Sequence, residues 1–107
     1  MSNPFDSRMT IASLLSGAGL TGESRKLAVW AKGIEIPSFD RTIWRRDAFR
    51  RVIRYSDYGN RNSEYGWEID HIHPTALGGL DHISNLRPLH CEVNAGLGGL
   101  LGGIMGR

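Results

Sequence analysis

Trp67 to Asn94 reads WEIDHIHPTALGGLDHISNLRPLHCEVN, and this stretch decides the fold. Trp67-Glu68-Ile69-Asp70-His71-Ile72 alternates in character, with Trp67, Ile69 and His71 on one side, which predicts a strand. His73-Pro74 ends it, because proline brings no amide to a central ladder. Thr75 to Asp81 predicts a loop around Gly78-Gly79, with Asp81 as a turn or supporting residue. Ile83 to Leu89 predicts a second short strand, with Pro88 near its end, and a helix is expected to begin between His90 and Gly96.

Working outward, Thr21 suits a helix N-cap and Glu23 the first turn, where an acid complements the helix dipole. Leu27, Trp30 and Ala31 then share a helical face, and Gly33 is expected as the C′ residue. Ile34-Glu35-Ile36, stopped by Pro37, is a short extended piece. From Ile43 to Tyr55 two periods compete. Ile43, Trp44, Asp47, Ala48, Arg51 and Val52 fit a helix, while Phe49 to Tyr55 concentrates β-branched and aromatic residues and is read as extended. Asp57 to Ser63 is a turn by composition, and Tyr65 and Trp67 are core aromatics. Residues 1–20 are Ser/Gly-rich and predict a flexible arm. The end, 97–107, is glycine-dense. Each interior glycine costs a helix about 1 kcal/mol relative to alanine, so the last helix is expected to fray soon after Asn94.

The chain of 107 residues bounds one small domain. Its single cysteine, Cys91, excludes an intrachain disulfide and a Cys-only zinc site, and is read as a small buried filler. No apolar run is long enough for a membrane span, and no leader with a basic start and apolar centre is visible, so the cytoplasm is the expected location. The net charge of +2 is modest, but Arg41, Arg45, Arg46, Arg50, Arg51, Arg54 and Arg61 are close in sequence.

The chemistry concentrates at Asp70-His71. Adjacent strand side chains point to opposite faces, so two such groups serve one site only at a strand end, which His73-Pro74 supplies. Asp70 offers a hard oxygen suited to Mg2+ or Mn2+. His71 can accept a proton near neutral pH. Asn94 offers a neutral amide oxygen as a second metal ligand, and Asn85 can pin the connecting loop through bonds to backbone.

Asp-His, a Gly-Gly loop, Asp81-His82-Ile83-Ser84-Asn85-Leu86 and then Asn94 together resemble the HNH endonuclease family, over about Ile34 to Asn94. YGNRNSEYGWEIDHI also looks like a subgroup of small bacterial members without zinc-knuckle cysteines. The resemblance implies an α+β fold of the ββα-metal type: a short two-stranded antiparallel hairpin plus helix, with an N-terminal helical extension. It divides the chain into an arm at 1–20, a nuclease-like domain at 21–96 and a flexible tail at 97–107. It implies His71 as general base, Asn85 as the residue ordering the loop and holding the histidine, and Asp70 and Asn94 as metal ligands. The reaction implied is hydrolysis of DNA phosphodiester bonds, leaving 3′-hydroxyl and 5′-phosphate ends. Mg2+ or Mn2+ is the expected ion. His90 is a further candidate ligand, and its participation, or that of His73, would favour Zn2+ or Ni2+. His82 is given no role. In this setting Arg45, Arg46, Arg50, Arg51, Arg54 and Arg61 become candidate contacts to DNA phosphates.

One departure opens a rival. Family members carry basic residues just past the third signature position, where this chain has Ala95-Gly96-Leu97-Gly98-Gly99. A non-catalytic nucleic-acid-binding module with a degenerate HNH fold is therefore the alternative, and the Gly/Leu-rich tail is a candidate docking segment for a protein partner.

Overall fold

Helix α1, Gly22–Trp30, opens the described part of the chain with Glu23 in its first turn. Ala28, Val29 and Trp30 are buried, whereas Ala31, which the periodicity placed on the same face as Trp30, is exposed. The helix closes through Lys32 N to Val29 O at 3.0 Å and Gly33 N to Trp30 O at 2.9 Å. These bonds reach back three residues and tighten the last turn. Gly33 is thus not the left-handed C′ residue the sequence predicted; the final carbonyls are satisfied without one. The computed structural model describes residues 22–104, with side chains to residue 97. The expected arm at 1–20, the cap at Thr21 and the last three residues of the tail lie outside the described residues.

The described chain forms two compact units interleaved in sequence, one containing α1 with Ile69–Pro88, the other Ile34–Glu68 with the chain from Leu89. In the first, α1 packs against a 3-10 turn at Ile83–Asn85. Lys32 Nζ donates to Ile83 O at 2.9 Å and to Leu86 O, fixing both ends of that turn. Partial burial of this ammonium lowers its pKa.

In the second unit, β1 (Ile34–Glu35), β2 (Trp44–Arg46) and β3 (Val52–Arg54) form an antiparallel sheet in that order, with Ile34 opposite Arg46 and Arg45 opposite Ile53. The expected strand at Phe49–Tyr55 is therefore shorter, and Trp44 lies in a strand rather than in the helix its spacing admitted. Asp47 is the reason. Its Oδ1 accepts Phe49 N at 2.9 Å and Arg51 N at 2.8 Å, and Arg50 N donates to Asp47 O at 2.9 Å. Arg50, at φ 66°, takes the left-handed step that reverses the chain. The remaining oxygen, Oδ2, accepts His90 N at 2.9 Å. This carboxylate is fully buried. Trp67, also fully buried, donates from Nε1 to Tyr55 O at 3.1 Å and meets Tyr58 edge-on at 4.9 Å. Cys91 is buried, as its reading as a filler required.

β4 (Trp67–His71) and β5 (Leu86–His90) pair as a two-stranded sheet, and α2 (Cys91–Ile104) follows directly. Ile72 N donates to Asn85 O at 2.8 Å, so the two strands run antiparallel out of the loop. The second strand begins at Leu86 rather than Ile83, because His82 winds the residues before it into a turn. Its Nδ1 accepts Ser84 N at 3.2 Å and its carbonyl accepts Asn85 N at 2.7 Å. α2 does not fray after Asn94 but continues to Ile104. Gly96, Gly98, Gly99, Gly102 and Gly103 lower its propensity without blocking a single backbone bond, and the leucines among them favour the helix. The fold class is α+β, as expected. Among the described residues no helix is long and apolar enough to cross a membrane.

Replacing Asp47 by alanine orphans three backbone N–H groups, one of them fully buried. At about 1–3 kcal/mol for a buried group left unpaired, Asp47→Ala is expected to cost about 1–3 kcal/mol in urea unfolding. A loss under about 1 kcal/mol would contradict this role.

Candidate active site around His71

The loop between β4 and β5 is closed by one side chain. Asn85 Oδ1 accepts His73 N at 2.8 Å, while Nδ2 donates to His73 O at 3.0 Å and to Leu80 O at 2.8 Å. Its carboxamide thus replaces ladder bonds that a loop cannot make. The Gly-Gly pair makes the closure sterically feasible. Gly78 sits at φ 93°, and a Cβ on Gly79 would lie 1.8 Å from His73 O. His73 Nε2 lies 3.0 Å from Leu77 O, which spends that ring on the loop.

His71, the last residue of β4, is held by this loop. Its Nε2 lies 2.9 Å from Asp81 Oδ1, the oxygen that also accepts Arg25 NH2 at 2.6 Å. The hydrogen bond from His71, aided by the charge of Arg25, holds the Asp81 carboxyl below the ordinary carboxylate range. Asp81 is therefore ionised at neutral pH. An ionised carboxylate only accepts, so the proton of a neutral His71 ring sits on Nε2. The lone pair is then on Nδ1, which makes no hydrogen bond among the described residues. With 28% of its side chain exposed, the ring is reachable by solvent.

Asp70 takes a different partner. Arg87 Nε donates to Asp70 Oδ2 at 2.9 Å, and the two side chains are only 22% and 18% exposed. Counting back from the Ile72–Asn85 bond puts Asp70 directly across from Arg87, an opposite-charge cross-strand pair. Asp70 and His71 thus take separate partners, Arg87 and Asp81. The other carboxylate oxygen of Asp70, Oδ1, accepts no hydrogen bond among the described residues. No group of three or more His, Cys, Asp or Glu side chains comes together among them. Asp70 Oδ1 is a hard oxygen of the kind that a divalent cation such as Mg2+ accepts.

The remaining predicted residues lie in the second unit. Asn94 Nδ2 donates to Glu68 Oε1 at 2.9 Å, and Arg61 grips the same carboxylate through Nε at 2.8 Å and NH2 at 3.0 Å. The Arg61 bond, with a smaller contribution from Asn94, holds the Glu68 carboxyl below its usual range. His90 is buried. Its Nε2 lies 2.7 Å from Glu64 O and its Nδ1 accepts Glu92 N at 3.1 Å. Both ring nitrogens are committed to backbone, which gives no support to His90 as a ligand.

The arginine run is largely spent within this unit. Arg45 is only 4% exposed and donates to Arg41 O at 3.1 Å, which removes it from a solvent-facing phosphate surface. Arg51 pairs with Glu92 at 2.6 Å. Arg54 pairs with Asp57 at 2.9 Å and lies 5.5 Å from the ring centroids of both Trp44 and Tyr65. Arg46 donates to Arg50 O at 2.9 Å, and Arg50 is exposed.

Sequence reasoning assigned no part to Arg25 or Arg87. The cross-strand position of Arg87 becomes readable once Asn85 is paired with Ile72; nothing local marks Arg25. Comparison with protein-family models, curated proteins and solved structures found no match for this chain.

Two outcomes follow from the loop. Asn85→Ala is expected to speed hydrogen exchange at the His73 amide at least tenfold, measured by NMR; unchanged protection would contradict the closure. Asp81 is expected to titrate below about 3.9, the unperturbed aspartate value. Its native-state pKa is depressed, so the stability it contributes is present above that value and is lost as pH falls through its native pKa. A carboxyl carbon titration that moves upward in Arg25→Ala checks this; a midpoint at or above the unperturbed value contradicts it.

Proposed function

We propose that this chain is a metal-dependent endonuclease of the HNH type that hydrolyses DNA phosphodiester bonds. One observation carries the reading: an imidazole whose Nε2 faces an ionised carboxylate and whose Nδ1 is uncommitted, at the end of a strand beside Asp70. The succession of β4, β5 and α2, and the loop closed by Asn85, support it further.

In this reading His71 Nδ1 takes a proton from the attacking water. Asp81 holds the ring in the required tautomer and offsets the imidazolium that forms. Asn85 keeps the strand end and loop in register, which fixes the ring's position. Asp70 would present a carboxylate oxygen to Mg2+ or Mn2+. When bound, the ion supplies charge stabilisation at the phosphoryl oxygens and the departing 3′ oxygen. The second reading, a non-catalytic nucleic-acid-binding module, is favoured by the absence of basic residues at 95–99.

Nicking of supercoiled plasmid across Mg2+, Mn2+, Zn2+ and Ni2+ separates the two. Activity abolished by EDTA is expected, and His71→Ala is expected to lose about a hundredfold or more. A His71→Ala protein that nicks at the wild-type rate would falsify the assigned base. Binding of DNA without any cleavage would favour the second reading.

A further inference from the structure

Asp70 is the carboxylate that the proposed function gives to the cation, yet its Oδ2 is held by a guanidinium. Arg87 Nε lies 2.9 Å away, and neither side chain is more than about a fifth exposed. Two cations cannot share one partly desolvated carboxylate without repulsion, since like charges a few ångströms apart disfavour each other strongly outside bulk water. A divalent ion arriving at Asp70 therefore competes with Arg87. The strand fixes the Arg87 backbone, and the rotatable bonds of its side chain are what carry the guanidinium off the carboxylate. The anion that a freed guanidinium fork matches is a phosphate oxygen.

Resting on the reading of Asp70 as a metal ligand, we infer that Arg87 is an exchangeable counter-ion. It occupies Asp70 until a divalent ion displaces it, and it then contacts a phosphate of the nucleic-acid backbone. This makes Arg87 a specificity-determining residue for anionic backbone substrates. It differs from Arg51, Arg54 and Arg61, whose guanidinium groups are paired to carboxylates that the proposal does not give to a cation.

The signature is a pair of opposite effects in one variant. Free Mn2+ is followed by electron paramagnetic resonance, and binding of a fluorescent DNA duplex by anisotropy in Ca2+, using the full chain. Arg87→Gln is expected to bind Mn2+ about tenfold tighter than wild type and the duplex about tenfold weaker; Arg87→Lys, which keeps the charge, stays near wild type for Mn2+. Arg87→Leu takes the place of the glutamine variant should that one not fold. Weakening of both ligands, as structural damage alone would produce, overturns the proposal, and so does unchanged affinity for either. Asp70→Asn separates the underlying reading: it is expected to lose Mn2+ binding. If Asp70→Asn binds Mn2+ as wild type does, the metal assignment fails, and the counter-ion role fails with it. If Asp70→Asn loses Mn2+ while Arg87→Gln equals wild type, only the role of Arg87 fails.

Discussion

Three hydrogen bonds from the carboxamide of Asn85 hold the site together. A loop between two short strands has no ladder to lock it, and the entropy of its open forms is considerable. By taking His73 N on its oxygen and giving its two N–H groups to His73 O and Leu80 O, Asn85 fixes where β4 stops. The adjacent Ile72–Asn85 backbone bond sets the register, and that register decides which charges meet. A one-residue slip would turn Asp70 away from Arg87 and His71 away from Asp81. Lys32 secures the same turn from the other side by donating to Ile83 O and Leu86 O.

The electrostatics then follow from pairing rather than from net charge. Each acid near the strand end has an arginine: Asp81 has Arg25 and Asp70 has Arg87. The two pairs differ in exposure. The Asp81 side chain is 65% exposed, so its bond to Arg25 is well screened and serves mainly to orient a carboxylate whose charge the His71 hydrogen bond favours most. Asp70, at 18%, is partly desolvated, so its partner matters more to whatever cation approaches. One pair bears on a tautomer and the other joins two strands, although both are arginine–aspartate contacts.

What the sequence made legible was local. The strand at Trp67–His71, its termination near His73-Pro74, the short extended piece at Ile34–Glu35 and the loop-pinning chemistry of Asn85 all rest on alternation, proline geometry or a side chain's reach to nearby backbone. What failed to read depended on distant partners. Trp44 joins a strand because Asp47 reverses the chain, and Asp47 can do so because its second oxygen meets His90, far along the sequence. The six arginines read as one basic surface, but Glu92 and Glu68 beyond the run and Asp57 within it take three of them, and burial takes Arg45. Glycine counting stopped α2 too early, because a propensity penalty weakens a helix without forbidding it.

The central claim is that Asp81 places the proton of neutral His71 on Nε2 and so exposes a basic Nδ1. Nitrogen-15 NMR of the His71 ring, read through its long-range couplings near neutral pH, tests it most directly. The account predicts the Nε2–H tautomer in the wild-type protein, with that preference lost in Asp81→Ala. A ring protonated on Nδ1 in the wild type, or a tautomer indifferent to residue 81, would contradict it.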